Sequence, residues 1–329
     1  LFASLAQGKS KSSNLLISED VKAALNAIQK LGIKTKLKKN VCEIYGKGLD
    51  GYKYKNNIVI NAKNSGTLGR LILGFLVNTN KKIKIIGDKS LSKRDFKRVS
   101  DPLQKFGAKF KLTKNKYLPL SILGTKNLKP IKYFEKKGSA QCKSSVIFAA
   151  LRTVGTTLIK AKKSRDHTEL LCKHLDLPIK VIKKKSFDLI KVKQANKIKP
   201  LNYNIPSDMS SAAFFIVLTC LQNNSSMTIK SVNINPSRIG LIIILKKMGA
   251  KIILKNKKKY KGETIADIYV KSTMNLKSIK CPQKLNSSLI DEFLLVFLVA
   301  AKAKGVSFFN NLAELNQKES PRLKWGQKY

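Results

Sequence analysis

The residues able to do chemistry stand in short polar stretches that recur ahead of apolar runs. Asn64-Ser65-Gly66-Thr67, Ser139-Ala140-Gln141 and Ser164-Arg165 offer hydroxyls, side-chain amides and backbone N–H groups, and rare arginines (Arg94, Arg165, Arg322) stand in or near such stretches. Helix starts present unbonded N–H groups and a partial positive charge, and the arginine fork matches phosphate and carboxylate oxygens. Together these residues suit a ligand with several negative charges. Asp291 and the Lys318-Glu319 pair add groups for orienting and moving protons. Singly, each has an ordinary explanation: Ser65 and Ser139 as N-caps, Asp291 as a first-turn acid favoured by a helix dipole, Arg94 or Arg322 as a surface charge. Their number and order argue for a site.

The elements that must position them repeat. Gln29-Lys30-Leu31-Gly32-Ile33-Lys34, Gln104-Lys105-Phe106-Gly107-Ala108-Lys109 and Lys246-Lys247-Met248-Gly249-Ala250-Lys251 are versions of one phrase, with a worn copy at Lys173-His174-Leu175-Asp176-Leu177. Helical periodicity precedes each, as in Val21-Leu25-Ile28-Leu31, and a β-rich stretch follows. Glycine then supplies the left-handed residue that closes a helix. Each unit holds a second, apolar helix opened by small polar residues: Asn64–Thr67, Ser139–Ser144, Ser207–Ser211 and Asn286–Ser288. A period of about 72 residues exceeds solenoid repeats and indicates a duplicated α/β domain element.

Composition bounds the reading. A chain of 329 residues with 43% hydrophobic side chains suffices for about two domains with full cores. The formal net charge of +47 invites a nucleic-acid partner, yet only seven of the 66 basic residues are arginine and the lysines are spread along the chain. A solvated lysine-rich surface is the expectation, without nucleic acid as a partner. No apolar run reaches the roughly 18 residues that cross a bilayer, and no basic-then-apolar leader opens the sequence as given. Five dispersed cysteines without a CxxC pair suit a reducing, cytoplasmic setting. Gly8-Lys9-Ser10 lacks the earlier glycine of a phosphate-binding loop, Ala3 standing in its place. His167 and His174, seven apart, read as helix-surface residues rather than metal ligands.

At these polar stretches the sequence resembles the 5-enolpyruvylshikimate-3-phosphate synthases, the enolpyruvyl transferases of the shikimate pathway. The resemblance is carried in order by Asn64–Arg70, Gly87–Arg94, Ser139–Ser144, Ser164–Glu169, Pro206–Phe214, Asn235–Gly240, Ile290-Asp291-Glu292 and Lys318-Glu319-Ser320. It implies an α/β fold, a two-domain inside-out barrel of repeated helix–strand units with substrates in the cleft between the domains. Residues 1–204 would be the first domain and 205–329 part of the second. The implied reaction joins the enolpyruvyl group of phosphoenolpyruvate to the 5-hydroxyl of shikimate 3-phosphate and releases phosphate, in aromatic amino acid and chorismate biosynthesis. The resemblance implies no metal or organic cofactor, a monomer, and the two small-molecule substrates as the partners.

Position by position, Ser139, Ala140 (through its amide), Gln141, Ser164 and Arg165 would hold shikimate 3-phosphate. Asp291 would take the proton of the attacking hydroxyl, which Lys318 would orient. Gly66, Thr67, Arg94, Gln141 and Arg322 would hold phosphoenolpyruvate, and Glu319 would serve proton transfer at its methylene carbon. The resemblance further implies a lysine-serine-arginine segment before residue 1, and an Asp-His-Arg segment and a lysine after residue 329. A fragment lacking both ends, inactive or badly crippled as given, is the expectation. Asp95 stands where the family usually has proline, and Pro321 replaces an aspartate before Arg322. The phrases Gly87–Arg94 and Ser139–Ser144 resemble the branch that contains glyphosate-tolerant enzymes, some with alanine at position 66; Gly66 implies a glyphosate-sensitive target. Three rivals stay open: an enolpyruvyl transferase for a nucleotide sugar with a catalytic cysteine, a non-enzymatic basic nucleic-acid binder, and a nonfunctional gene fragment.

Overall fold

A computed structural model describes residues 1–317, 320 and 322–326. The chain divides into two compact units, one made of Leu1–Lys163 with Thr168–Ile205, the other of Ser164–His167 with Pro206–Tyr329.

The first unit repeats one sheet topology three times. Ile58–Asn61 lies parallel to Ile83–Ile86, which pairs antiparallel with Tyr117–Leu123, itself antiparallel to Lys109–Thr113. Lys132–Glu135, Thr156–Lys162, Phe187–Lys193 and Ile179–Lys183 make the same arrangement. So do Asn202–Asn204, Gln7–Ser13, Val41–Lys47 and Lys34–Lys38, where the parallel edge strand comes from the far end of the unit and closes the set. The Gly8-Lys9-Ser10 stretch is thus sheet backbone. The helix ends expected from the repeated phrase are present: Gly32, Gly107 and Gly249 have φ of 85°, 110° and 96°, and Asp176 in the worn copy takes φ 54°. Asp and Asn tolerate that region better than other non-glycine residues, so the phrase survives without its glycine.

The helices Gly66–Leu76 and Ala140–Ala150 are buried almost all round, as apolar helices without a polar face must be. Phe75 and Phe148 stack with ring centroids 4.3 Å apart, and Phe2 meets both edge-on. Gly74 permits this approach, because a β-carbon there would strike the carbonyl of Ser145, while the Ser145 hydroxyl donates to the carbonyl of Arg70 at 3.0 Å. Lys143 lies inside this core, 1% exposed, its ammonium 2.6 Å from Glu169, which opens the His167–His174 helix.

The second unit holds a three-stranded sheet ordered Ser226–Asn233, Glu263–Lys271, Lys251–Tyr260. A parallel bridge from Ser207 to Val232 takes the place of the fourth strand. The helices Met209–Leu221, Gly240–Lys247 and Phe293–Lys302 build a core around Ile216, Leu241, Ile268 and Val296. Phe214, Phe215 and Leu218 of the first of these helices are exposed. Among the described residues no helix is long and apolar enough to cross a membrane.

Candidate active site

In the first unit the helix starts behave as their polar openings predict. Ser65 and Ser139 are N-caps, accepting from Leu68 N at 3.2 Å and Cys142 N at 3.3 Å. Ser139 N itself donates to the buried Glu135 carboxylate at 2.8 Å, which fixes the entry into the helix. The amides of Ala140 and Gln141 follow in the first turn, where no preceding carbonyl lies in position to accept them. Gln141 bridges to the neighbouring helix: its Nε2 donates to Thr67 Oγ1 at 3.0 Å, and its Oε1 accepts from Arg70 Nη1 at 2.7 Å. Arg70 is 8% exposed and its guanidinium lies 5.2 Å from the centre of the Phe96 ring. Arg94 follows the turn Leu91–Lys93 and reaches back over Gly66, where a β-carbon would sit 2.7 Å from Arg94 Nη1 and 3.1 Å from Arg70 Nη1. Asp95 lies two residues before the next helix, where its Oδ1 accepts from Lys97 N at 2.8 Å and Arg98 N at 3.3 Å. Gly66, Thr67, Ser139, Ala140 and Gln141 therefore gather around two adjoining helix starts, with the guanidinium groups of Arg70 and Arg94 beside them.

In the second unit Arg165, Asp291 and Arg322 come together. Arg165 Nη2 donates to Asp291 Oδ2, and Arg322 Nη1 donates to Asp291 Oδ1 at 2.8 Å and to the Ile290 carbonyl at 3.0 Å. Both oxygens of one carboxylate are thus held by different arginines, all three side chains being between one fifth and one third exposed. Asp291 does not stand in the first turn of a helix: Asn286–Leu289 forms its own turn, and the longer helix begins only at Phe293. Ser164 precedes Arg165, and its hydroxyl is buried with no hydrogen-bond partner among the described residues.

The segment 164–167 is clasped where it lies. Asp166 Oδ1 accepts from Asn235 Nδ2 at 2.9 Å, the same Nδ2 donates to Glu263 Oε2 at 3.0 Å, and Glu263 Oε1 lies 2.5 Å from His167 Nδ1. Burial alone would raise the Glu263 carboxyl, but the bond and charge of His167, with Asn235 and Asn233, outweigh it and hold the carboxyl below its usual value. Arg238 joins the helix start, donating to Asp208 Oδ1 at 2.9 Å and Ser210 Oγ at 2.7 Å. For Asp208 too, burial raises the carboxyl, and Arg238 with Ser211 more than reverses it. Sequence reasoning named neither this clasp nor Arg70 as site residues. The signal for Arg70 was its scarcity and its place one helical turn beyond Thr67. Lys318 and Glu319 lie outside the described residues, as does Pro321.

Among known proteins, the family model described as EPSP synthase (3-phosphoshikimate 1-carboxyvinyltransferase) matches residues 1–326. The chain belongs to the EPSP synthase family. The 3-phosphoshikimate 1-carboxyvinyltransferase of Petrotoga mobilis is 38% identical over 327 residues, and that of a Sulfurihydrogenibium species 40% over 326. Each match takes in 98% of this chain and about three quarters of the relative, 74% and 75%. A structure of EPSP synthase from Acinetobacter baumannii superposes with a TM-score of 0.88 at 34% identity, over 99% of this chain and 73% of the other. The enolpyruvyl transferase NikO of Streptomyces tendae, at 14% identity and a TM-score of 0.66, shares the fold. The α/β architecture read from the repeats is that of the EPSP synthase family, and the transferase reading stands over the basic-binder reading.

Proposed function

We propose that this chain binds shikimate 3-phosphate and phosphoenolpyruvate and carries the machinery that joins them, releasing phosphate. The observation that carries this is the Asp291 carboxylate gripped by Arg165 and Arg322. Two cations on one carboxylate form a site that an anionic ligand enters by exchange: its phosphate or carboxylate oxygens take over the guanidinium donors, and an Asp291 oxygen is freed to accept a proton. Arg165, with the unbonded Ser164 hydroxyl, and Ser139, Ala140 and Gln141 hold shikimate 3-phosphate. Arg94 above Gly66, with Thr67, Gln141 and Arg322, holds phosphoenolpyruvate.

In the reaction, the 5-hydroxyl oxygen attacks the enol carbon of phosphoenolpyruvate while Asp291 takes its proton. The methylene carbon gains a proton and becomes a methyl group, giving a tetrahedral intermediate. Loss of the phosphate and of a methyl proton then restores the double bond. Glu319 serves the proton transfers at that carbon and Lys318 orients the hydroxyl. Fixed guanidinium groups stabilise the charge that develops between these steps. We assign residues 1–204 to the first family domain and 205–329 to part of the second, in a cytoplasmic monomer.

The test is a calorimetric titration of the chain with shikimate 3-phosphate, beside Arg165→Ala and a nucleic-acid oligomer. Saturable binding by the wild type that falls by about tenfold or more in the variant is expected, since a lost charged hydrogen bond costs roughly 1.5–3 kcal/mol. A folded sample that ignores the sugar phosphate and binds the oligomer in a salt-sensitive way overturns the proposal.

A further inference from the structure

Glu292 follows Asp291 but turns the other way. It is 1% exposed, against about one fifth for the Asp291 side chain. Its Oε1 accepts the hydroxyl of Ser210, and its Oε2 is buried without a hydrogen-bond partner among the described residues. A hydroxyl has one proton, so Ser210, having given its proton to Glu292, can only accept from Arg238. Arg238 in turn is occupied by Ser210 and Asp208. Among the described residues no cation touches the Glu292 carboxyl. Among the described residues the charged groups facing it are Asp208 at the start of the Met209–Leu221 helix, Arg238 from the loop before Gly240, and Asp291 with Arg165 and Arg322 upon it. Burial pushes its carboxyl up; the Ser210 bond and the charges of Arg238 and Arg165 oppose this, Asp291 adds to it, and the result is a raised value.

We propose that Glu292 is a proton-linked positioning residue of the Asp291 cluster, held as the neutral acid while the cluster binds an anion and weakening that binding when it ionises. The logic is electrostatic. Ionising Glu292 lowers by one the net charge of the groups gathered around it, whatever the sum of the rest. An incoming dianion therefore favours the protonated form, and by linkage its binding draws a proton onto Glu292. Glu292 touches no reacting group. It acts through Asp291 and the two arginines, and its hydrogen bond to Ser210 ties the starts of the Met209–Leu221 and Phe293–Lys302 helices together.

The inference rests on the proposed function only for the identity of the natural anion. Its test therefore uses the chain with inorganic sulfate, which stays a dianion throughout the range. Glutamate-carboxyl 13C NMR of the wild type is titrated with and without sulfate at constant ionic strength. Expected is one carboxyl that titrates above the rest, disappears in Glu292→Gln, and shifts further upward when sulfate is added. Sulfate affinity of the wild type then falls as pH rises, by up to about tenfold per unit, the limit for one linked proton, and Glu292→Gln loses most of that slope. A wild-type spectrum in which no glutamate is displaced upward, or in which sulfate leaves the displaced one unmoved, overturns the inference without any variant having to fold. Shikimate 3-phosphate run in parallel separates the two failures. Sulfate linkage without sugar-phosphate binding removes the functional proposal alone, and sugar-phosphate binding without linkage removes this one.

Discussion

Arg94 lies so near Gly66 that a β-carbon at position 66 would stand 2.7 Å from its Nη1. The clash is with the far end of a flexible side chain, so Gly66→Ala displaces the guanidinium rather than the helix. Adding a methyl group at a helix's first residue changes stability by less than about 1 kcal/mol. The expected outcome is a melting temperature within a few degrees of the wild type and a phosphoenolpyruvate affinity lowered about tenfold, or roughly 1.4 kcal/mol. Glyphosate, which the resemblance leads one to expect in the same pocket, is expected to bind more weakly to Gly66→Ala as well. Equal inhibition or binding constants for the two forms would sink the assignment of Gly66 and Arg94 to that pocket.

Lys143 and Glu169 form an ion pair with almost no access to water, beside the bond between Ser144 and Thr168 at 2.7 Å. Removing one partner leaves the other charge buried without its salt-bridge counterpart. Lys143→Met is expected to cost about 3–5 kcal/mol, and Lys143→Met with Glu169→Leu much less than the sum of the two single changes. Urea unfolding of the four proteins measures this, and additive losses would count against a directly coupled pair.

Much of this framework is visible in the sequence because the devices are local. A glycine after a periodic helix, as at 32, 107 and 249, and a Ser or Asp three residues before a first-turn amide that its side chain caps, as at 65, 139 and 208, announce themselves within one turn. Asp176 was readable only by analogy with the other copies, since nothing in its own turn requires the left-handed region. What stayed hidden depends on distant partners. Lys143 in a helix reads as a surface lysine until Glu169 is brought to it, and Arg152 reads likewise until its guanidinium is seen donating to the carbonyls of Phe75, at 2.6 Å, and Leu49. The place of Asp291 is hidden because the helix opened at Asn286 stops as a short turn at Leu289 and the next begins only at Phe293, which leaves Asp291 in the gap between them.

Asn235 is 1% exposed and every polar atom of its amide is used: Nδ2 on Asp166 and Glu263, Oδ1 on the N–H and hydroxyl of Ser237 at 2.8 Å each. Asn235→Asp sets a third carboxylate between two others and removes their shared donor. A loss of about 3 kcal/mol or more is expected at neutral pH, because a buried charge without a partner is strongly disfavoured. The loss shrinks as pH falls and one of the three acids takes up a proton. Denaturant midpoints at pH 5 and pH 8 that shifted equally would show that Asn235 does not separate these acids.

Glu263 gives the same clasp a pH dependence of definite sign. Its carboxyl lies below its ordinary value of 4.5 in the folded chain, so the folded state prefers it ionised. That contribution is fully present above about pH 4.5 and is lost as pH falls through the folded value. Glu263→Gln is therefore expected to be less stable than the wild type at pH 7, with the gap closing towards pH 3. Thermal melts across that range measure it, and a gap that widened on acidification would reverse the assigned sign.

Cys142 decides between two kinds of enolpyruvyl transfer. It is 2% exposed in the first turn of the Ala140–Ala150 helix, and burial pushes its thiol above the ordinary value, against the Ser139 bond and the charges of Arg70 and Arg98. A cysteine that must attack or protonate a substrate needs access and an easily formed thiolate, and this one has neither. Cys142→Ala is expected to bind shikimate 3-phosphate within about twofold of the wild type, and the native chain to react with iodoacetamide at position 142 far more slowly than after unfolding. Stability falls by roughly 1–2 kcal/mol for the small cavity left behind. Fast alkylation of Cys142 in the folded chain, blocked by a nucleotide sugar, would overturn the shikimate reading in favour of the cysteine-dependent one.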